Sequence, residues 1–574
     1  MQQTYDVIVV GSGAGALLAA VRAADEGLRA LVVEKTDLVG GTSAISGGGI
    51  WIPDNYDMPK AGLKDSIDAA FRYVKACAKG LASDDRVLAY VETAREMAQY
   101  LKQIGIPYRC VPGYSDYYPD MPGAMPGGRT MDPVDYNAAK IGLQDLPLLR
   151  PTSPGQLILG RMHINAFEAR SMLAREFKSH FTLIGMMLRY FLDYPWRNKT
   201  KRDRRLTGGQ ALLGGLLAAL RQRKVDLWLK SPLQSLVFEN GVVVGAVVEH
   251  DGKTVTVRAR RGVVLGAGGF ERNAAMREQY LPKPTDVNWP ATPPDANTGD
   301  AIRAGAEVGA ALHLMAHTWG APTLEVPGEE KYRAMFVERS LPGCMVVNAR
   351  GERFLNESGP YPEFQQAMFA NHAATGGAIP AWIVFDVDFR ANQPIGPLMP
   401  GSAVPDSKLR KSWLNRVYWK AETLEALAQQ IGVDAAGLQR SAARMTEFAA
   451  TGKDLDFDRG GNSFDRYYGD PRLKNPNLGP IAKGPFYAMK LFPGDIGTKG
   501  GLLTDREARV LDEQGNIIKG LYCVGNNSAS VMGPAYPGAG STLGPAMAFA
   551  YRAIAEMMGR PLALQRTDLL TPSP

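Results

Sequence analysis

The chain has 574 residues, more than one domain usually holds, and its 45% hydrophobic and 21% charged residues are those of an ordinary globular protein. The formal net charge of +7 is mild for this length and the basic residues are mostly interspersed with acids, which argues against nucleic-acid binding. Cys77, Cys110, Cys344 and Cys523 lie far apart with no CxxC, and His313 and His317 lack an acid or third ligand, so buried reduced thiols and no metal site are expected.

Residues 5–10, Tyr-Asp-Val-Ile-Val-Val, read as a buried strand. They run into Gly11-Ser12-Gly13-Ala14-Gly15-Ala16, then an apolar helix over 17–26, then a second strand over 30–33 that ends in Glu34-Lys35. This is a βαβ unit with a dinucleotide fingerprint. The glycines let backbone N–H groups approach a pyrophosphate, and the helix start favours negative charge. Glu34 falls at about the distance of an acid that binds a ribose hydroxyl, roughly 20 residues on. The first strand begins at once, with no leader before it, which with the low cysteine content points to the cytoplasmic side.

Gly40-Gly41-Thr42-Ser43 and Ser46-Gly47-Gly48-Gly49 follow closely. A second glycine-rich, hydroxyl-bearing loop beside the ribose acid suits a larger cofactor, FAD, although taken alone it also reads as a polar loop. A turn-rich loop at 113–119 carries Tyr114, Tyr117 and Tyr118. The apolar and aromatic run 181–196 precedes Arg197, Lys199, Lys201, Arg202, Arg204 and Arg205, against the single acid Asp203. The run is too short to span a bilayer, which takes about 20 residues. It reads either as a segment lying on a membrane surface or as a buried helix followed by a solvated basic loop.

Residues 225–264 alternate apolar and polar, with turns at Glu239-Asn240-Gly241 and Asp251-Gly252, and predict a β-meander. Its last strand closes on Gly266-Ala267-Gly268-Gly269. A Pro-rich connection at 282–294 opens a second region, with a predicted hairpin at 345–354 and helices over 424–431 and 435–451. Near the end, a strand at 520–525 leads to Asn526-Asn527, and Gly538-Ala539-Gly540-Ser541-Thr542-Leu543 opens a helix over 545–558. A strand followed by such a helix start suits a flavin ring, because the helix dipole stabilises negative charge on its reduced form. The expected fold is α/β: a discontinuous Rossmann-like FAD-binding domain (1–125, 206–285, 488–574), a helical insertion (126–205) and an inserted α+β substrate domain (286–487).

Taken together these residues resemble the FAD flavoproteins of the succinate dehydrogenase/fumarate reductase class. Within it, Gly40 to Trp51, Asn356-Glu357-Ser358-Gly359-Pro360-Tyr361 and Ser530 to Gly540 resemble the 3-ketosteroid Δ1-dehydrogenases. The resemblance covers nearly the whole chain. It implies removal of two hydrogens from the C1–C2 bond of a 3-ketosteroid. That reaction needs a base for the C2 proton, donors for the C3 enolate oxygen and a flavin to take the C1 hydride. By position, the resemblance assigns the base to Tyr361 and the donors to Tyr536 and the Gly540 N–H. It gives the helper role to Tyr118, with Tyr117 second, since adjacent residues usually point opposite ways. Pro537 stands where the family carries a small residue, which leaves the local turn open.

The stretch 40–51 has no His, unlike the covalent-flavin members of the class, so FAD is expected to bind non-covalently. Tyrosines rather than cations in the candidate stretches favour a neutral ketone over a dicarboxylate. A quinone or similar carrier is the expected electron acceptor. The rival readings are a dehydrogenase acting at another steroid position, such as Δ4, and a flavin electron-transfer or membrane-docking subunit without substrate chemistry.

Overall fold

The computed structural model describes residues 3–153, 155 and 157–570. The strand Gln3–Val10 lies near the middle of a sheet that has eight strands among the described residues. It pairs in parallel with Ala30–Val33 on one side and with Lys253–Leu265 on the other; Asp226–Trp228 and Ile517–Cys523 extend the parallel set outward. Val7, Ile8, Val9, Leu31, Val32, Val263, Val264 and Leu265 are fully buried, as the continuous apolar runs of parallel strands require. The order of travel across the sheet reverses beside the first strand. The carboxyl ends of three strands therefore surround one crevice, the usual ligand position in doubly wound sheets.

The helix Ala14–Asp25 packs on this sheet and against the C-terminal helix Leu543–Met557. Gly15 permits that contact, since a Cβ there would stand 2.7 Å from the Ala546 carbonyl oxygen. The meander forms as expected, from Leu233–Glu239, Val242–His250 and Lys253–Leu265. Its two-residue turns, Asn240-Gly241 (φ 51° and 78°) and Asp251-Gly252 (φ 50° and 71°), have the doubly positive φ that suits Asn-Gly and Asp-Gly.

A second sheet, antiparallel and of six strands among the described residues, centres on Phe486–Thr498. That strand runs across position 487, so residues 488–498 belong to this sheet rather than to the cofactor region, where the sequence reading put them. Strand Cys344–Val347 pairs along its length with Ala381–Phe385, and the expected local hairpin at 345–354 shrinks to one bridge, Val347 to Arg353. Helices Leu424–Ile431 and Ala435–Thr451 match their predicted spans.

The insertion divides in two. Met131, Ile141, Leu146 and Leu149 join the main core. Helices Ala166–Leu173 and Lys178–Leu192 stand beyond it over a small cluster of Met162, Met186 and Tyr190. Phe181 (63%), Leu188 (54%) and Leu192 (73%) are exposed, with Phe177, Ile184 and Phe191 beside them, so the helix is not buried. Most of the expected basic loop is tied down: Arg202 donates to the Leu146 and Leu149 carbonyls, Arg204 pairs with Asp193, and Arg205 with Asp135 and Glu168. Lys199 and Lys201 are exposed. Among the described residues no helix is long and apolar enough to cross a membrane.

Candidate active site

Many of the residues singled out in the sequence gather at these strand ends. Gly11 has φ +100°, and a Cβ on it would lie 2.5 Å from the Gly266 carbonyl oxygen, so only glycine lets these strand ends meet. Gly13 caps the first helix, and the Ala14 N–H donates to the Ser43 hydroxyl at 3.2 Å. The buried Ser12 hydroxyl donates to Glu34 at 2.6 Å and accepts from the Gly40 N–H at 3.0 Å, which ties Glu34 to the second glycine loop. Lys35 reaches away, to Thr298 and Asp300.

Beside Gly41 and Gly47 an added Cβ would meet nothing within 4 Å. Gly13, Thr42, Ser43, Ser46, Gly49, Gly266, Ala267, Gly268, Asn526 and Thr542 are half-exposed around the same trough. Asn527 accepts from the Ala267 N–H, while its own buried amide nitrogen has no partner among the described residues. Gly48 and Gly269 are packed in behind, and Ser541 bonds back to Gly538. Ala16 and Leu543 are buried in the core under the two helix starts. An open, glycine-walled trough at two helix starts, with an orphan donor and the buried carboxylate of Glu34 beside it, fits FAD.

At one end of the trough three tyrosines from distant segments meet. Tyr361 begins the helix Tyr361–Thr375, between Pro360 and Pro362. The preceding turn is fixed by Glu357, whose buried carboxylate pairs with Arg353 at 2.7 Å and Arg459 at 3.3 Å and accepts from the Val346 N–H at 3.0 Å. Burial alone would raise that carboxyl; the two arginines hold it below its usual range. Tyr536 is buried, its ring 5.4 Å from Tyr361 in an edge-on contact and 5.0 Å from Trp319. Burial pushes the Tyr536 phenol up to about 12, and its neighbours Thr542 and the Gly540 backbone act against that rise. Gly540 has φ +100°, and a Cβ there would lie 2.4 Å from Ile50 backbone atoms, so glycine is required. The Gly540 backbone thus lies close to the Tyr536 phenol.

The third tyrosine is Tyr117. Its hydroxyl meets that of Tyr361, and its ring stacks on Tyr536 at 5.3 Å. Tyr118, favoured from the sequence as the helper, points the other way: its hydroxyl donates to Glu363 at 2.5 Å and accepts from the Tyr536 N–H at 3.2 Å. The Tyr117 N–H donates to the Pro537 carbonyl at 2.9 Å, which sets which of the two neighbours faces inward. Tyr114 continues the chain of phenols, 3.3 Å from the Tyr117 hydroxyl, and stacks on Tyr467 at 4.3 Å.

Sequence reasoning did not single out Arg339, Trp319, Phe336, Phe464, Tyr467 or Lys499. Arg339 is buried with its guanidinium 5.5 Å from the Tyr361 ring and donates to the Glu357 and Gly359 carbonyls. Burial lowers its ionisation to about 10, which leaves it cationic near neutrality. Burial drives the Tyr117 phenol well up, and Arg339 acts against that. The cluster therefore brings the Tyr361 hydroxyl against a second phenol and a buried cation, with the Tyr536 ring beside them.

Known proteins match this chain over nearly its whole length. The model of the FAD binding domain family matches residues 6–543. A 3-oxosteroid 1-dehydrogenase of Comamonas testosteroni is 60% identical over 99% of both chains. One from Mycobacterium tuberculosis is 40% identical over 97% of this chain and 99% of its own. The crystal structure of the 3-ketosteroid Δ1-dehydrogenase from Sterolibacterium denitrificans in complex with 1,4-androstadiene-3,17-dione superposes with a TM-score of 0.95 at 55% identity, covering 97% of this chain and 100% of that one.

Proposed function

The chain belongs to the 3-oxosteroid 1-dehydrogenase family of FAD-dependent flavoenzymes, and on that footing we propose that it desaturates the C1–C2 bond of 3-ketosteroids in steroid breakdown. The observation that carries the mechanism is the meeting of Tyr117, Tyr361 and Tyr536 beside the Gly540 N–H at the end of the cofactor trough.

The steroid C3 carbonyl accepts from the Tyr536 O–H and the Gly540 N–H. Polarisation there acidifies the C2 hydrogens, and the same donors hold the enolate oxygen as charge moves onto it. Tyr361 takes the C2 proton. The Tyr117 hydroxyl and the Arg339 cation stabilise Tyr361 in its ionised form, and Tyr117 leads to Tyr114 as a path for the proton away from the site. The chemistry that FAD supplies when bound is acceptance of the C1 hydride. Gly11–Gly15, Glu34, Gly40–Ser43, Ser46, Gly47, Gly49, Ala267, Gly268, Asn526, Asn527, Gly540 and Thr542 would hold it, without a covalent bond, and Ala16, Gly48, Gly269, Ser541 and Leu543 would support them from behind. A quinone or similar acceptor removes the electrons. Phe336, Phe464 and Trp319 wall the tyrosines off from water, which suits a large apolar substrate.

The exposed face of Lys178–Leu192 docks on an anionic membrane surface on the cytoplasmic side. Phe177, Phe181, Ile184, Leu188 and Phe191 form one apolar stripe, with Arg189, Lys199 and Lys201 exposed beside it. Because the other cations of this segment are paired internally, apolar insertion carries more of the binding than charge.

The test is anaerobic mixing of the yellow protein with androst-4-ene-3,17-dione. Bleaching of the flavin with formation of the 1,4-diene supports the assignment. No bleaching points to an electron-transfer subunit, and bleaching by a 4,5-saturated 3-ketosteroid with only a 4-ene product points to a Δ4-dehydrogenase.

A further inference from the structure

Lys499 is fully buried, yet its sequence context, Thr498-Lys499-Gly500, reads as an ordinary turn. Its ammonium donates to three consecutive carbonyls, those of Gly533 (3.3 Å), Pro534 (2.7 Å) and Ala535. It also sits 4.2 Å from the centroid of the Trp319 ring, and that ring abuts Tyr536. Residues 533–535 lie in neither a helix nor a strand, so their carbonyls have no ladder partners. A buried ammonium meets them with charge-assisted hydrogen bonds, which are stronger than neutral ones.

The Ala535 carbonyl and the Tyr536 N–H are the two ends of one peptide group. Lys499 takes the oxygen, and the Tyr118 hydroxyl takes the N–H at 3.2 Å. Tyr118 is itself held by Glu363 at 2.5 Å, on the first turn of the helix that starts with Tyr361. On the far side of Tyr536, Pro537 has no N–H to place, and its carbonyl accepts from the Tyr73 hydroxyl at 2.6 Å and the Tyr117 N–H at 2.9 Å. The plane of the 535–536 peptide sets the direction of the Tyr536 side chain, and its two polar ends are fixed by Lys499 and Tyr118.

We propose that Lys499 and Tyr118, the latter tied to Glu363, are positioning residues that hold the 533–540 loop so that the Tyr536 phenol and the Gly540 N–H converge on one oxygen. This rests on the reading of those two donors as the clamp for the steroid C3 oxygen. It gives Tyr118 a role different from the helper role expected from the sequence. It also joins base and clamp mechanically, since Tyr361 and Glu363 share a helical turn while Glu363 steadies Tyr536 through Tyr118. Burial draws Lys499 down to about 7, with Glu363 and Cys77 opposing, so its hold on the carbonyls is strongest toward acid pH.

The test is a set of mutant cycles on the flavin-loaded enzyme: K499M and Y118F, each alone and combined with Y536F. The rate of anaerobic flavin reduction by androst-4-ene-3,17-dione is read alongside flavin content and melting temperature. K499M should slow reduction by about 10²-fold, the scale of a 1 Å misplacement, with KM changed far less than kcat. Y118F should slow it in the same sense by a smaller factor. In the Y536F background both losses should shrink to about threefold or less, because residues that act through one group are not additive. Binding of a phenolic steroid, which mimics the charged oxygen, should weaken in both single variants more than binding of a neutral ketone. Undiminished losses in the Y536F background, or loss of flavin with normal rates in the enzyme that retains it, overturn the proposal. Should K499M fail to fold, the Y118F cycle decides alone. If Y536F itself reduces at the wild-type rate, the clamp reading falls and the positioning role with it; if Y536F is slow but the losses are additive, only the positioning role falls.

Discussion

Replacing Tyr117 by Phe removes one hydroxyl and leaves the ring. The ring keeps its stack on Tyr536 at 5.3 Å and its contact with Phe464 at 4.3 Å, so packing changes little. Tyr114 keeps its edge-on contact with the Tyr468 ring at 5.6 Å. What disappears is the donor to the Tyr361 oxygen. A hydrogen bond to a charged group is worth about 1.5–3 kcal/mol, and 1.36 kcal/mol is a factor of ten, so the proton-transfer step should slow roughly 10–10²-fold. Ionised Tyr361 also loses support, so the rising limb of the rate–pH profile should move to higher pH: the phenolate form is now reached only as more protons are withdrawn. Stopped-flow flavin reduction across pH measures both effects. Tyr118→Phe should leave that limb where it is. A limb that moves in Tyr118→Phe and stays fixed in Tyr117→Phe would refute the reasoning and restore Tyr118 as the helper.

Other expectations follow from the same geometry. Tyr536→Phe removes one of two clamp donors and should slow turnover by about 10²–10³-fold, read as kcat. Acid precipitation should release all the flavin into the supernatant; yellow colour kept in the pellet would contradict a non-covalent bond. Changing Phe181, Ile184 and Leu188 together to Ser should lower partitioning onto anionic liposomes by roughly 10²-fold, taking about 1 kcal/mol for each partly inserted side chain. Activity on dissolved ketosteroid should be unaffected, and liposome binding equal to that of the unaltered enzyme would make the helix face structural.

Much of the scaffold was legible because the chain spells out its backbone geometry. Gly11 and Gly540 occupy positions where a Cβ would collide with backbone, and the Asn240-Gly241 and Asp251-Gly252 turns need positive φ at both residues. The helices Leu424–Ile431 and Ala435–Thr451 carry their own caps, Thr423 and Asp434 at the start and Gly432 and Gly452 at the end. The choice between Tyr117 and Tyr118 was not legible. It depends on which side of a turn-rich loop meets Pro537, more than 400 residues away. Lys499 was hidden for a similar reason, since nothing local shows that a lysine beside two glycines is wholly buried under a distant loop. The basic run 197–205 misled in the opposite sense: Arg202, Arg204 and Arg205 fold back on carbonyls and acids of their own insertion.

The central claim is that Tyr361 takes the C2 proton. Its most direct test is exchange of the C2 hydrogens of androst-4-ene-3,17-dione with D₂O on enzyme whose flavin is held reduced, so that hydride transfer cannot follow. The wild-type protein should wash deuterium into C2. Tyr361→Phe should bind the steroid normally yet lose the exchange by about 10²–10⁴-fold, the range of a general base, whereas Tyr536→Phe should only reduce it. Wild-type exchange in Tyr361→Phe would contradict the account and move the base elsewhere in the tyrosine cluster.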